Sequence, residues 1–528
     1  MHNYSHFSMA VTLAVVATCI NVTSTHAQET DITQTPNAVN AGIQKSLQDQ
    51  IGAGRGDLNT PNSSLYIINR DPFRSIRRGR NLFQRKFTVA QGFGPRTGDG
   101  RGDIEADGSI GAGLADSCAA CHGRPKGSAG FGSDVFTRPD SRDAPHLFGL
   151  GIVEMLADEI TQELRAIKNA ASERAQKTGR NIRARLQSKG IAYGFIRALP
   201  DGSVDTSQVK GINADLRVRP FFHQGGTISI REFVVGAFNA EMGLEAFDSD
   251  LAKAASGGKI TTPAGMVLDG SLDTIEAPPV TSESDDSDLD GVANEIPVSL
   301  VDHMEFYLLN YFKPAIHREN ARVRIGKAIF RKIQCTGCHL PSLVIERDRR
   351  VADVETTYNN RKGGFNRLYA VATPLVQPDP NSGNPPVKKP QGKRFIVKNI
   401  YADFKRHNLG PNFWERNFDG TMTKEFMTEP LWGVGSTAPY GHDGRSINLW
   451  SVIMRHGGEA QASRNRFARL SAAQQALLLE FLQSLVLFPP DDTASNLNPG
   501  NPGAVNYPQN GHGNIALPKL FNDPSDLE

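Results

Sequence analysis

Thiols are scarce in this chain, with five cysteines among 528 residues. Cys19 lies in an N-terminal apolar stretch and the other four fall into two clusters, so none is spare for a structural disulfide. Long apolar runs are missing as well. Met9 to Ile20 is apolar for about a dozen residues, too few to span a bilayer, so no stable membrane span is expected. A dominant charge is also absent. Lys plus Arg number 58 and Asp plus Glu 56, a net charge of +2, which excludes bulk attraction to nucleic acid or to an anionic membrane. A composition 39% hydrophobic and 22% charged is that of an ordinary soluble chain, and 51 glycines with 31 prolines call for many turns and long loops.

The short apolar run is followed by Thr25-His26-Ala27, a small-residue cleavage site, so residues 1–27 read as a secretory signal and the chain as periplasmic or secreted. The n-region departs from the usual pattern, carrying His2 and His6 but no Lys or Arg. An uncleaved anchor is the alternative.

The four remaining cysteines carry the chemistry. Cys118-Ala-Ala-Cys121-His122 and Cys335-Thr-Gly-Cys338-His339 are both C-x-x-C-H, the attachment signal for c-type haem. Two thiols three positions apart on one helical turn can each form a thioether to a haem vinyl group. The adjoining histidine then falls under the ring plane as the proximal iron ligand. A single zinc site built from both pairs is disfavoured. Zinc pairs normally lie about 15–20 residues apart, whereas here more than two hundred residues intervene and both pairs carry the trailing histidine. The expectation is two covalently bound c-type haems.

Around these motifs the pattern is mainly helical. Helical spacing of apolar residues predicts helices over 71–87, from Ile152 to about Ser188, and over 228–242, 297–311, 318–333 and 470–487. The basic residues of 71–87 read as a solvated face, with a docking patch for an acidic donor as the alternative. Residues 345–395 read as a long basic loop. Residues 249–285, rich in Ser, Thr, Pro and Gly, read as the domain boundary. The expected order is a signal (1–27), an arm (28–75), a first haem domain (76–250), a linker (251–295), a second haem domain (296–490) and a tail (491–528). Within the linker, Asp286, Asp288 and Asp290 precede a turn glycine and Glu295 follows it. Hard oxygen ligands grouped in this way make Ca2+ a candidate there, although the glutamate comes too early for an EF-hand.

Further stretches complete a resemblance: Arg142-x-x-Pro145, Glu241-Met-Gly243, the Asp286–Glu295 turn, Asp403–Gly410, Pro430-Leu-Trp-Gly433, Ala438-Pro-Tyr-x-His442-Asp-Gly-Arg445 and His456-Gly-Gly-Glu-Ala460. With the two haem motifs, over roughly 75–490, they make the chain similar to bacterial di-haem cytochrome c peroxidase-like proteins. Within that group it most resembles the di-haem oxidoreductases labelled thiol oxidoreductase-like. The resemblance implies a mainly α fold of two cytochrome c-like haem domains with long loops and extended arms. It also implies hydrogen peroxide reduction at the N-terminal haem, with electrons relayed through the C-terminal haem from a small cytochrome or cupredoxin-type donor. Two alternatives stay open: a non-enzymatic electron carrier, and a dioxygen-activating oxygenase of the rubber-cleaving type.

The resemblance also suggests residue roles. The sixth ligand of the second haem would lie fourteen positions after His442, at His456, with His442 and His407 as alternatives. His146, His223 or Met242 could close the first haem. Glu232 would be the acid–base group beside it, or else a surface charge on its helix.

Overall fold

The computed structural model describes residues 29–31, 47–87, 115, 117–123, 128–130, 144–286, 291–312, 316–317, 319–359, 364–372, 375–377, 383–389, 392–417 and 420–486. The expected signal and tail lie outside these residues. Among the described residues no helix is long and apolar enough to cross a membrane.

The fold is organised on one helix, Val298–Asn310, whose residues are buried on every side from Ser299 onward. Helix Pro72–Gln84 lies along it, and helices Ser64–Arg70, Leu150–Thr178 and Ile230–Met242 also pack on it. The closest approach is at Gly79, where a Cβ atom would come 2.3 Å from the His303 carbonyl oxygen and 2.4 Å from the Tyr307 Cβ. Only a residue without a side chain lets the two backbones meet there. The helix expected to open the second domain therefore belongs to the core of the first half, and the expected break at 295/296 does not separate it. The expected arm contributes to the same core, since Ile67 and Ile68 are fully buried.

Buried ion pairs tie these helices together. The Arg231 guanidinium, itself wholly buried, donates to Asp248 at 3.0 Å, Glu305 at 2.7 Å and Asp302 at 2.9 Å. Ser64 donates to Asp302 at 2.6 Å and Thr262 to Glu305 at 2.9 Å. The basic residues of Pro72–Gln84 are not a solvated face. Arg78 and Arg80 are buried, and Arg78 reaches His303 Nε2 at 3.4 Å and Asn62 Oδ1 at 2.5 Å. Their aliphatic stems fill core volume, and the head of Arg78 finds its polar partners inside.

Three further expectations are corrected. The long helix stops at Thr178, where Gly179 takes the left-handed C-cap conformation, and Ile182–Ser188 forms an antiparallel hairpin with Ile191–Ala198. Its turn residues Lys189 and Gly190 both have positive φ, as a tight two-residue hairpin requires. The expected boundary at 249–285 instead forms helix Ser249–Ala255 and the hairpin Lys259–Thr261/Val267–Asp269, with Leu251, Met266 and Leu268 buried. The 345–395 stretch is strand-rich. Asp353–Asn359 pairs with Gly364–Ala372, which also takes Glu29–Asp31 along its other edge.

The second half has a smaller helical core. Helix Ala321–Lys332 packs on Ala472–Gln483, beside the short helices Leu449–Arg455 and Gln461–Ala468.

Candidate haem sites

Each C-x-x-C-H motif folds into one tight turn. Cys118–His122 is a single helical turn capped by Ser117, whose hydroxyl accepts the Ala120 N–H at 3.0 Å. Cys335–Gly337 is a 3₁₀ turn entered through Gln334 at φ 69°, with the His339 N–H bonded back to the Cys335 carbonyl at 3.0 Å. In both, the cysteine pair and the following histidine are carried on a single turn.

The histidines then share a second feature. His122 Nδ1 donates to the Pro145 carbonyl at 2.7 Å, and His339 Nδ1 donates to the Tyr401 carbonyl at 3.0 Å. A backbone acceptor on Nδ1 fixes the proton there and leaves Nε2 as the bare donor atom, the orientation a ligating histidine needs. Burial lowers both rings, His122 to about 4, so both are neutral at physiological pH. Neither Nε2 has a partner among the described residues. The backbone near His339 is contorted to make this contact: Asn399, Tyr401 and Phe404 all have positive φ, a cost that fixed positions at functional sites tolerate.

His456 has the same arrangement. It follows helix Leu449–Arg455, and its Nδ1 donates to the Val452 carbonyl at 2.7 Å, leaving Nε2 without a partner among the described residues. Burial pushes it down to about 4, and the nearby His339 ring adds to that. Phe413 packs edge-on against it at 5.4 Å.

Four more of the described histidines are otherwise engaged. His407 is held at both ring nitrogens, by Asp403 at 2.9 Å and Glu459 at 2.9 Å, so it has no atom left for iron. Burial opposes its charge, but the Asp403 hydrogen bond and Cys338 beside it lift its pKa to about 11. Asp403, His407 and Cys338 could together grip a metal ion, their ligand atoms lying within 4.8 Å of one another. A haem attached at Cys338 would commit that sulfur. His442 stacks flat on Phe426 at 3.8 Å with Nε2 3.5 Å from a Glu415 carboxylate oxygen, while the following Asp443 pairs with Arg455 at 2.7 Å. That is a structural corner. His223 bonds Glu429 at 3.1 Å, and His303 sits between Ser75 and Arg78.

Of the groups expected to close the first site, Met242 reaches it, with Sδ 4.0 Å from Cys118 Sγ. His146 is next in chain to Pro145, whose carbonyl holds His122, and its Nε2 donates to the Trp432 carbonyl at 3.0 Å. It therefore stands on the proximal side. Tyr307, missed by sequence reasoning, is fully buried close to Cys118. The signal for it lay in its place on the organising helix.

Glu232 is neither exposed nor beside the turn. Its carboxylate accepts the Ser229 hydroxyl at 2.7 Å and the Ile228 and Glu276 N–H groups at 3.2 and 3.0 Å, while the Ser229 hydroxyl accepts the Glu232 N–H. This is a helix cap. Ten residues of helix, about 15 Å, separate it from Met242.

The acidic turn is described only in part, because Asp288 and Asp290 lie outside the described residues. The Asp286 carboxylate accepts the Gly291 N–H at 3.1 Å, and Glu295, fully buried, accepts the Glu245 N–H at 2.7 Å. The described part does not bring a calcium shell together.

Two neutral histidines, each on a cysteine-paired turn with Nε2 presented, define a protein with the donor sets for two haems. Consistent with that class, residues 378–485 match the family described as "Di-haem oxidoreductase, putative peroxidase". The matched segment spans His407, His442 and His456 and supports an oxidoreductase role. Among curated proteins, none matches the chain.

Proposed function

We propose that the chain is an exported di-haem c-type cytochrome that reduces hydrogen peroxide at the site of His122, drawing electrons through the site of His339. The observation that supports this most is the difference between the two sites. The second has a further neutral histidine, His456, with Nε2 free and ready to complete a bis-histidine pair. At the first, His146 is turned to Trp432, and Met242 lies against the anchoring sulfur of Cys118 at 4.0 Å. The stretches 88–114 and 124–143, which flank the first motif, contain no histidine or methionine.

Bound haem would supply the iron at which peroxide takes up two electrons, one from each haem in turn. The chain's own part is to present the ligands. Cys118, Cys121, Cys335 and Cys338 would anchor the two groups. Pro145 and Tyr401 hold the proximal rings in the ligating tautomer, and Val452 does so for His456. A small cytochrome or cupredoxin-type donor would feed the second site.

The test is spectroscopic, on protein made in cells that mature cytochromes. The expected result is two haems per chain by pyridine haemochrome, one ferric signal low-spin and the other high-spin in the resting or half-reduced state. Stoichiometric peroxide should then oxidise the reduced protein by two electrons. Two low-spin irons in both states would instead define a carrier.

A further inference from the structure

We propose that His146 is the bridge across which an electron passes from the His339 haem to the His122 haem; this rests on the di-haem reading above.

The two proximal rings are joined by an unbroken chain of covalent and hydrogen bonds. From His122 Nδ1 the path enters the Pro145 carbonyl at 2.7 Å and crosses the peptide bond into His146. His146 Nε2 then bonds the Trp432 carbonyl at 3.0 Å. One residue back, the Leu431 N–H donates to the Ile400 carbonyl at 2.8 Å. Ile400 is bonded to Tyr401, whose carbonyl receives His339 Nδ1 at 3.0 Å. Each contact is short enough to be a true hydrogen bond. For a given distance, electronic coupling decays less along bonds than across gaps, and this route has no through-space gap between the two proximal rings.

His146 is the only side chain in this route between the two ligating imidazoles; every other step is backbone. Its ring is fixed in the conducting orientation. Nδ1 is buried and has no partner among the described residues, so the single proton of the neutral ring belongs on Nε2, facing Trp432. Trp432 cannot drift away, because its ring fills the place where a Cβ on Gly149 would sit, 2.8 Å distant, and packs edge-on against Phe312 at 5.8 Å. Phe148 supports the His146 ring from the side, with centroids 6.3 Å apart. In the step itself the iron at His339 goes from ferrous to ferric and the iron at His122 from ferric to ferrous. One electron moves, and no proton or atom is exchanged. The electron first reaches His339 from an external one-electron donor.

The test is the inter-haem rate in the loaded, full-length protein. A flash of photoreductant delivers one electron, and re-equilibration between the irons is followed optically. His146→Gln places an amide nitrogen where Nε2 sits, and is expected to run near the wild-type rate. His146→Asn is a bond too short and is expected to slow transfer at least several-fold, with both reduction potentials and both resting spectra unchanged. Equal rates in Gln, Asn and wild type would overturn the proposal, as would a slowdown fully accounted for by shifted potentials. Trp432→Phe retains the carbonyl and should leave the rate alone; a loss as large as that of His146→Asn would move the route to the indole. Should a variant shed haem, 15N-histidine labelling of unaltered oxidised protein decides the matter. The bridge requires a contact shift at His146 Nε2 beyond the through-space contribution, and its absence overturns the bridge. A chain with no haemochrome would remove the di-haem reading and the bridge together, whereas two haems with a rate indifferent to His146 would remove the bridge alone.

Discussion

Replacing His456 takes away an imidazole whose Nδ1 is committed to Val452 and whose Nε2 is not. His456→Ala should convert only the second haem from low-spin to high-spin in electron paramagnetic resonance, leaving the first signal unchanged. An unaltered low-spin signal would remove His456 from the coordination sphere. His456→Met should keep that iron low-spin and raise its reduction potential, because a thioether favours the ferrous state more than imidazole does. His407 differs in kind, being a charged strut between Asp403 and Glu459 rather than a ligand. His407→Ala leaves the nearly inaccessible Asp403 carboxylate without its charged partner, with the Lys405 N–H still donating to the other oxygen. Breaking such a pair from one side costs about 3–5 kcal/mol, and a urea midpoint equal to that of wild type would contradict the assignment.

At the scale of elements, the Pro72–Gln84 and Val298–Asn310 helices stand in backbone contact at Gly79. Gly79→Ala should destabilise by about 1–3 kcal/mol through overpacking, seen as a lower thermal midpoint; an unchanged midpoint would mean the helices are not so close. Both helices were legible as sequence. Apolar spacing marked 71–87 and 297–311 within a residue or three of Pro72–Gln84 and Val298–Asn310. Ile182–Ser188 was not legible as a strand. Its Arg, Ala, Leu and Gln are good helix formers that continue the preceding helix, and this outweighed the apolar–polar alternation that its burial follows. The arginines of Pro72–Gln84 misled for a related reason: charge predicts exposure only until a buried polar partner such as His303 or Asn62 is available. At the sites the motifs named the proximal ligands. The acceptors that set their tautomers, Pro145 and Tyr401, act through carbonyls that any residue has, so no residue type could announce them. Glu232 lay on a correctly expected helix but at the end away from the cysteine turn.

For the molecule as a whole, the buried cluster around Arg231 makes stability depend on pH. Burial lifts Glu305 to about 7, above the usual glutamate value. The folded chain therefore binds more protons than the unfolded chain between about pH 4.5 and 7. This contribution is fully present below the unfolded value and is lost as pH rises through the folded one. Stability should fall across that window, and Glu305→Gln should flatten the decline in a series of thermal melts. An identical slope in the two proteins would show that Glu305 does not titrate there. The two halves are also joined by more than their sites, since the carbonyl of Trp432 meets His146 and Gly211 lies against Lys405. Because the centre of the first core is Val298–Asn310, it reaches a growing or exported polypeptide long after Cys118 and Cys121 have emerged. Until that late segment arrives those thiols belong to an open chain, so an enzyme stitching porphyrin onto them would find them unobstructed. A protein cut short before Val298 should accept the modification yet remain protease-sensitive.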